Sequence, residues 1–289
     1  MSFSYSVAIR TLGTAGEKYK KLLNSIKKQK IQPEKVIVVL PKGYTPPTDR
    51  IGTEQFVFCE KGMIQQRIAC LPYISSKYTL FCDDDVEFPE EFTEKLLDKL
   101  ETEEYCVAAG PLLDFFPPKT FKYLVASLLG GACVMLRARD KYYVRLLKTG
   151  GFSYNDSIKR DSHRTYKTES LAGTCFMADT EVMRRMNYEE ELWAEKTGYS
   201  AFEDRIEIGK MIVNGYNACI VSDASYIHND GSPLRTPGPG PAPWFHLVPP
   251  CLPQTPTEAP GICWPAADRS GICPFPRSGR RPHPPAAFG

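Results

Sequence analysis

The feature that most constrains this chain is the segment Tyr78–Phe88, which reads YTLFCDDDVEF. An apolar run that ends abruptly in three aspartates is typical of a buried strand followed by an acidic turn. Adjacent carboxylates repel one another, and they need either water or a cation around them. Asp83 and Asp85 are two residues apart, so an extended backbone points both to the same side. This pair predicts a site for Mg²⁺ or Mn²⁺, and the alternative is a solvated acidic loop before a helix.

Strands and helices alternate along the first part of the chain. The predicted strands are Ser6–Thr11, Val36–Leu40, Phe56–Cys59, Tyr78–Cys82 and Tyr105–Ala109, and the predicted helices are Thr14–Lys30, Gly62–Ser75 and Pro89–Leu100. This alternation indicates an α/β fold of the Rossmann type, with a mostly parallel sheet and helices on both faces. Ligands of such sheets bind beyond the carboxyl ends of the strands, where the three aspartates lie.

A second acidic pair follows after a stretch with weaker patterns. Regular structure is predicted again further along the chain. The predicted strands are Leu171–Ala178, Asn217–Val221 and Ala224–His228, and the predicted helices are Thr180–Met186 and Ala201–Asn214. Glu203 and Asp204 begin the second of these helices, where a carboxylate is ordinarily a capping device. Trp193 and Tyr199 lie just upstream, and an aromatic beside a carboxylate is also suited to holding and deprotonating a sugar hydroxyl.

The composition changes sharply after Asp230. Residues 231–289 contain 16 of the 25 prolines and no lysine or asparagine, and they keep no helical or strand periodicity. We expect a domain over 1–230, with a nucleotide-binding half over about 1–110 and an acceptor half over about 111–230. We expect the 231–289 tail to be disordered and foreign to the domain, as read-through in another frame would be. A proline-rich docking tail is the alternative.

Charge and cysteine usage exclude several classes of protein. The formal net charge of +2 argues against a nucleic-acid partner that is bound through bulk charge. The ten cysteines form no C-x-x-C pair, so we expect buried, reduced thiols in a cytoplasmic protein without a secretory signal.

The apolar run Tyr123–Leu136 is too short to span a bilayer and is expected in the core. Its alternative is a patch that contacts the inner face of the membrane peripherally.

The ordered set of motifs resembles one enzyme family. Dinucleotide-binding, P-loop and nucleophile-elbow signatures are missing from the sequence. The motifs that are present read SVAIRTLG at 6–13, GMIQQRIACLPYISSKYTLFCDDDV at 62–86, LAGTCFMAD at 171–179 and GYSAFEDRIEIGKMIVNGYNACIV at 198–221. In these segments the chain resembles the family 2 glycosyltransferases of the GT-A fold, over roughly residues 5–230.

The resemblance implies a metal-dependent, inverting glycosyltransferase of the hexosyltransferase type. Such an enzyme moves a sugar from a nucleotide-diphosphate donor, here a UDP-sugar above others, to a glycan or lipid-linked acceptor hydroxyl in polysaccharide biosynthesis. The D-x-D motif of the family falls on Asp83 and Asp85, which would hold Mn²⁺ or Mg²⁺ on the diphosphate of the donor. Asp84 would face the ribose, or donor, side.

The resemblance also assigns residues outside the acidic turn. Thr11 and Arg67 match positions that approach the nucleotide. Asp204 matches the catalytic base of the E-D motif, with Glu203 beside it. His228 lies where some GT-A enzymes have a histidine that completes the metal or diphosphate site, and its alternative is a hydrogen-bonded histidine near a strand end.

The sequence departs from the family pattern at two positions. The family usually has proline where this chain has Arg10, and it has an acidic turn where this chain has Leu40–Gly43. A catalytically inactive module that binds nucleotide sugars or glycans, made inactive by the aberrant tail, is one alternative. A sugar nucleotidyltransferase is another, since GTAGEK at 13–18 faintly resembles its glycine-rich signature. A structural calcium site lacks support because the acidic turn has no EF-hand spacing.

Overall fold

The computed structural model describes residues 4–112, 141–146, 152–155, 158–159, 162–196 and 203–229. Three features predicted or singled out from the sequence lie outside these ranges: the tail 231–289, the apolar run Tyr123–Leu136 and Tyr199. None of the helices within the described ranges combines the length and the apolar character needed to cross a membrane.

Twelve strands and five α-helices are present in the described ranges. The strands are β1 Tyr5–Arg10, β2 Val36–Pro41, β3 Glu54–Cys59, β4 Tyr78–Asp83, β5 Val86–Glu87, β6 Val107–Ala109, β7 Val144–Leu146, β8 Phe152–Tyr154, β9 Thr165–Thr168, β10 Cys175–Asp179, β11 Ala218–Val221 and β12 Ile227–His228. The helices are α1 Glu17–Lys27, α2 Met63–Ile68, α3 Phe92–Thr102, α4 Thr180–Arg185 and α5 Glu203–Val213, with 3₁₀ segments at Leu71–Tyr73 and Tyr188–Glu195.

Eight of the strands form one mixed sheet, in the order β3-β2-β1-β4-β10-β6-β11-β9. Strands β1 to β4 run parallel to one another, and β11 runs parallel to β6. Strand β10 is antiparallel to both β4 and β6, and β9 is antiparallel to β11. The prediction of a mostly parallel sheet is therefore confirmed. The alternating pattern of strands and helices did not predict that β9 and β10 run in the opposite direction.

The sheet is buried on both faces, as the apolar run VIVVL predicts. Val36, Val38 and Leu40 of β2 pack with helices α1 and α3, whereas Ile37 and Val39 pack on the opposite face with α2, α4 and α5. This alternation follows from the two-residue period of a strand. The predicted helices on both faces are confirmed.

Several element boundaries differ from the predictions for identifiable reasons. Helix α1 begins at Glu17 instead of Thr14, because Gly16 has a φ of 55° and breaks the helical path. The predicted helix Gly62–Ser75 ends at Ile68 and continues as a 3₁₀ turn that contains Pro72, whose ring nitrogen cannot donate a helical hydrogen bond.

The cysteines within the described ranges carry free thiols. Cys59, Cys70, Cys82, Cys175 and Cys219 are buried, and Cys106 is partly exposed. Burial raises the pKa of the Cys70 thiol to about 12. These side chains therefore act as small apolar groups in the core, as predicted.

We predict that Phe176→Ala lowers the free energy of unfolding by about 3–5 kcal/mol, because it empties a fully buried ring site. Phe176 in β10 lies 5.3 Å from the ring of Phe81, measured between ring centroids. Phe58→Ala is the matched control, since Phe58 is 47% exposed, and it should cost only about 0.5 kcal/mol. Urea denaturation of the two variants measures both values, and equal losses would contradict the assigned core.

Candidate functional site

The carboxyl ends of β1 and β4 meet at one edge of the sheet. Arg10 and Asp83 are the last residues of the two strands and are direct partners in the parallel register. The antiparallel strand β10 begins at the same edge, where the backbone N–H of Asp83 donates to the carbonyl of Thr174 over 2.9 Å. This edge therefore carries the acidic turn that the sequence indicates.

Asp83 and Asp84 have separate partners at this edge. Oδ1 of Asp83 accepts from Nε of Arg10 at 2.9 Å and from Nη2 at 2.6 Å. Burial raises the pKa of Asp83, although the guanidinium of Arg10 opposes this rise. Asp84 accepts from the hydroxyl of Thr11, which in turn accepts from the N–H of Gly13 at 2.8 Å. Burial, with the two neighbouring carboxylates, raises the pKa of Asp84 to about 6.

Asp85 lies next to His228, although 143 positions separate the two residues in the sequence. Strand β12 pairs antiparallel with β5, with His228 opposite Val86. This pairing brings Nε2 of His228 to 3.3 Å from Oδ2 of Asp85. Oδ1 of Asp85 is buried, and it has no hydrogen-bond partner among the described residues. A buried carboxylate oxygen of this kind fits a place for a cation.

Asp85 and His228 are two side chains of types that can bind a metal ion. No group of three or more His, Cys, Asp or Glu side chains suited to a metal ion occurs among the described residues. The oxygen and nitrogen donors of Asp85 and His228 are types that Mn²⁺ accepts. A cation held there would take its further ligands from water or from a phosphate, which is common for such metals.

The acidic pair Glu203–Asp204 forms the first turn of α5 and faces the same edge. Oε1 of Glu203 accepts from Nη1 of Arg10 at 3.2 Å. Asp204 accepts from the N–H of Arg205 at 2.7 Å and from the N–H of Gly173 at 3.2 Å. Burial and the adjacent Glu203 raise the pKa of Asp204. The structure thus brings the two predicted acidic motifs together through Arg10.

Gly173 allows α5 to approach the start of β10 closely. A Cβ atom at this position would lie 3.0 Å from Cβ of Asp204 and 3.3 Å from Oε1 of Glu203. Real Cβ atoms seldom have such short contacts on two sides. The glycine in the segment LAGTCFMAD therefore fixes how near the acidic pair can come to the sheet.

Arg67 occupies a buried position behind the acidic motifs. Its guanidinium pairs with Glu207, one turn further along α5, and Nη2 donates to the carbonyl of Gly173 at 2.8 Å. Burial raises the pKa of Glu207 to about 7, although Arg67 opposes this rise. The side chain that was predicted to approach the nucleotide thus forms an ion pair with α5 in this structure.

Sequence reasoning did not find two contacts that hold α2 in place. The carboxylate of Glu195 accepts from the N–H groups of Ile64 and Gln65, at the start of α2. Nε2 of Gln66 donates to the carbonyls of Thr11 and Val39, at 3.0 Å each. Both contacts join residues that are far apart in sequence, so no local pattern could indicate them.

The aromatic residues singled out beside the acidic pair are only partly described. Trp193 is half exposed in the 3₁₀ segment, and its Nε1 donates to Glu191 at 3.0 Å. Tyr199 lies outside the described residues.

The sequence of the chain matches the family model described as glycosyl transferase family 2 over residues 14–185, which is more than half of its length. The chain belongs to this family. The match includes Arg67 and the acidic turn Asp83–Asp85, whereas Arg10, α5 and His228 lie outside it. A comparison with curated proteins finds no match.

Two of the solved structures that resemble this family 2 chain illustrate the likeness. One is TarS 1–349 of S. aureus, with 16% identity, a TM-score of 0.47 and coverage of 78% of this chain and 59% of that one. The other is GalNAc-T7 with UDP, GalNAc and Mn²⁺, with 11% identity, a TM-score of 0.55 and coverage of 78% of this chain and 44% of that one. The chain therefore covers less than two thirds of either structure. The second likeness is one of fold, and it confirms the predicted GT-A architecture.

We predict that Arg67→Met lowers the free energy of unfolding by about 3–5 kcal/mol, because Glu207 is left buried without its cation. The double variant Arg67→Met with Glu207→Leu should recover most of this loss. Urea denaturation of both variants provides the test. Lys42→Met removes an exposed partner of Glu60 and should leave stability unchanged. A double variant as unstable as the single one would contradict the pairing.

Proposed function

We propose that this chain is a metal-dependent glycosyltransferase that moves a sugar from a nucleotide-diphosphate donor to an acceptor hydroxyl with inversion. The observation that carries the proposal is the convergence of Asp83–Asp85 and Glu203–Asp204 at one sheet edge, joined by Arg10. Membership of glycosyl transferase family 2 supports the same reaction class.

We assign the cation site to Asp85 and His228. Oδ1 of Asp85 is buried and finds no partner in the part of the chain that the structure describes, which supports this assignment, as does the 3.3 Å separation between Oδ2 of Asp85 and Nε2 of His228. A Mn²⁺ or Mg²⁺ ion held by Asp85 and His228 would supply positive charge to balance the negative charge that develops on the leaving diphosphate. Asp83, the other carboxylate expected to bind metal, has one oxygen engaged by Arg10 and is assigned to orienting the turn.

We assign the donor nucleotide to the side of the edge formed by Thr11 and Asp84. Their hydrogen bond, together with the Gly13 N–H, fixes the loop after β1 against the acidic turn. Asp84 can accept from a ribose hydroxyl, which is the role the family resemblance gives it. UDP is the first nucleotide to test, because the structure of GalNAc-T7, which shares the fold, contains UDP with Mn²⁺.

We assign Asp204 as the general base. Its oxygens are oriented by the N–H groups of Arg205 and Gly173, so the carboxylate has a fixed direction. A pKa raised by burial makes this carboxylate a better proton acceptor. As the acceptor hydroxyl attacks the anomeric carbon and the bond to the diphosphate breaks, the hydroxyl proton passes to Asp204. One displacement from the side opposite the leaving group inverts the configuration.

Hexosyl specificity, a glycan or lipid-linked acceptor and a role in polysaccharide biosynthesis follow from the family resemblance alone and stay predictions. The cytoplasmic location and its alternative, peripheral contact with the inner face of the membrane, rest on the sequence alone and also stay predictions. An inactive module that binds nucleotide sugars is the alternative that the experiments below separate.

We predict that Asp85→Asn weakens manganese-dependent UDP binding at least about tenfold, because a carboxylate ligand is lost. Calorimetric titration of UDP, and then of GDP, into the full chain with Mn²⁺ and with EDTA measures this effect. Asp98→Asn, an exposed carboxylate on α3, is the control and should bind as the unaltered chain does. Equal binding with Mn²⁺ and with EDTA in the unaltered chain would contradict the metal site.

We predict that Asp204→Asn keeps UDP binding within about threefold but lowers sugar transfer by about 10²-fold or more. UDP release from a panel of UDP-hexoses, with and without saccharide acceptors, reports turnover. Glu181→Gln alters a carboxylate in the first turn of α4, at the opposite edge of the sheet, and should keep full activity. Manganese-dependent UDP binding by an unaltered chain that transfers no sugar would instead support the inactive module.

A further inference from the structure

Arg10 contacts both acidic motifs with a single guanidinium group. Nε and Nη2 donate to Asp83, and Nη1 donates to Glu203 at 3.2 Å and to the carbonyl of Met63 at 3.5 Å. Its side chain is only 11% exposed. The two carboxylates come from chain segments 120 positions apart, and Arg10 joins them at the sheet edge.

The backbone that carries Arg10 is held on both sides. Arg10 is paired with Val39 of β2 and with Asp83 of β4, so it ends a strand inside the sheet. The first turn of α5, by contrast, meets the sheet through side chains. The fixed strand therefore restricts where Glu203 can lie, and with it the adjacent Asp204, which also accepts from the N–H of Gly173.

The charges require a cation in this position. Asp83 and Glu203 both bear a negative charge and approach the same guanidinium, so they would repel each other if it were removed. A guanidinium has five donors in a planar fork and can serve two acids at once, whereas a lysine ammonium is a point charge on a flexible stem. The contact thus depends on arginine in particular.

Arg67 forms a second ion pair with α5, and this pair is more deeply buried than that of Arg10. It pairs with Glu207 in the buried layer behind the edge, and neither side chain is more than 3% exposed. Arg10 ends β1 directly beside Asp83, at the turn of Asp83–Asp85, and reaches the first turn of α5 through Glu203. Arg67 is therefore suited to holding helix α5 in place, and Arg10 to aligning the first turn of this helix.

We propose that Arg10 is the positioning residue that sets the catalytic base Asp204 at its working distance from the metal-binding turn. This inference rests on the proposed function for the roles of Asp204 and Asp85. Arg10 touches neither the assigned base nor the assigned cation ligands, and it acts through Glu203 and Asp83. Its loss should therefore affect the chemical step far more than donor binding.

The decisive experiment compares Arg10→Met and Arg10→Lys with the unaltered full chain. Arg10→Met should lower kcat for UDP-hexose turnover by about 10–100-fold, because a misplacement of about 1 Å can have that effect. UDP binding in the presence of Mn²⁺ should stay within about threefold. Arg10→Lys should recover only part of the lost kcat, since an ammonium cannot serve both carboxylates in this geometry.

Arg184→Met is the control for the loss of an arginine elsewhere, although its side chain is 34% exposed against 11% for Arg10. Arg184 donates to the carbonyls of Leu71 and Ile74 at the other edge of the sheet. Its removal should lower stability without a selective loss of kcat.

Guanidinium ion added at millimolar concentration should restore turnover of Arg10→Ala, whereas urea, which is neutral and of similar shape, should not.

A readout independent of catalysis separates this inference from the proposed function. Amide hydrogen exchange in the first turn of α5 should be faster in Arg10→Met than in Arg184→Met, whether or not the chain turns over donor. Unchanged exchange would overturn the inference, as would equal losses of UDP binding and kcat. If the unaltered chain neither binds UDP nor turns over UDP-hexoses, the proposed function fails, while the exchange experiment still decides whether Arg10 orders α5.

Discussion

Two guanidinium groups and three carboxylates share one layer between the sheet and helix α5, and the geometry of the candidate site depends on their mutual neutralisation. Arg10 meets Asp83 and Glu203, and Arg67 meets Glu207. Removing an ionised carboxylate from water costs several kcal/mol, so no acid in this layer is stable without its arginine. We infer that this layer serves to fix the register of α5 against the sheet. An apolar layer of equal volume would be at least as stable but would not fix this register.

The topology of the sheet explains why distant residues meet at this layer. Parallel strands β1 and β4 end at the same edge, and the reversed strand β10 starts there, so that Gly173 lies beside α5. The chain after β11 then returns to pair with β5 and brings His228 to Asp85. Four separate segments of the sequence thus contribute side chains to one edge.

Local patterns were sufficient to predict the framework and the acidic residues. The run YTLFC followed by three aspartates indicates a buried strand and its end, and the polar start of α5 indicates a helix terminus with two carboxylates. The partner of each carboxylate could not be predicted in the same way. Arg10 and Glu203 are 193 positions apart, and the two-residue strand that holds His228 is too short to produce a recognisable period.

The reversal of β10 escaped prediction for a related reason. Its sequence CFMAD is as apolar as that of the parallel strands, and strand direction is decided by the connections on either side. Arg67 illustrates the same limit at the level of side chains. An arginine on a helix before the acidic strand fits the family pattern, but its partner Glu207 becomes visible only when α5 packs against α2 and β10.

The place of β10 in the sheet also has a consequence for the newly made chain. One edge of β4 pairs with β10, which leaves the ribosome about 100 residues later. At about 5–20 residues per second, this edge waits for its partner for roughly 5 to 20 seconds. An apolar strand with an open edge invites pairing with other chains. The three aspartates at its end place a dense negative charge beside that edge throughout this interval. The acidic turn would therefore protect the chain against aggregation during synthesis, before any metal or nucleotide can bind to it.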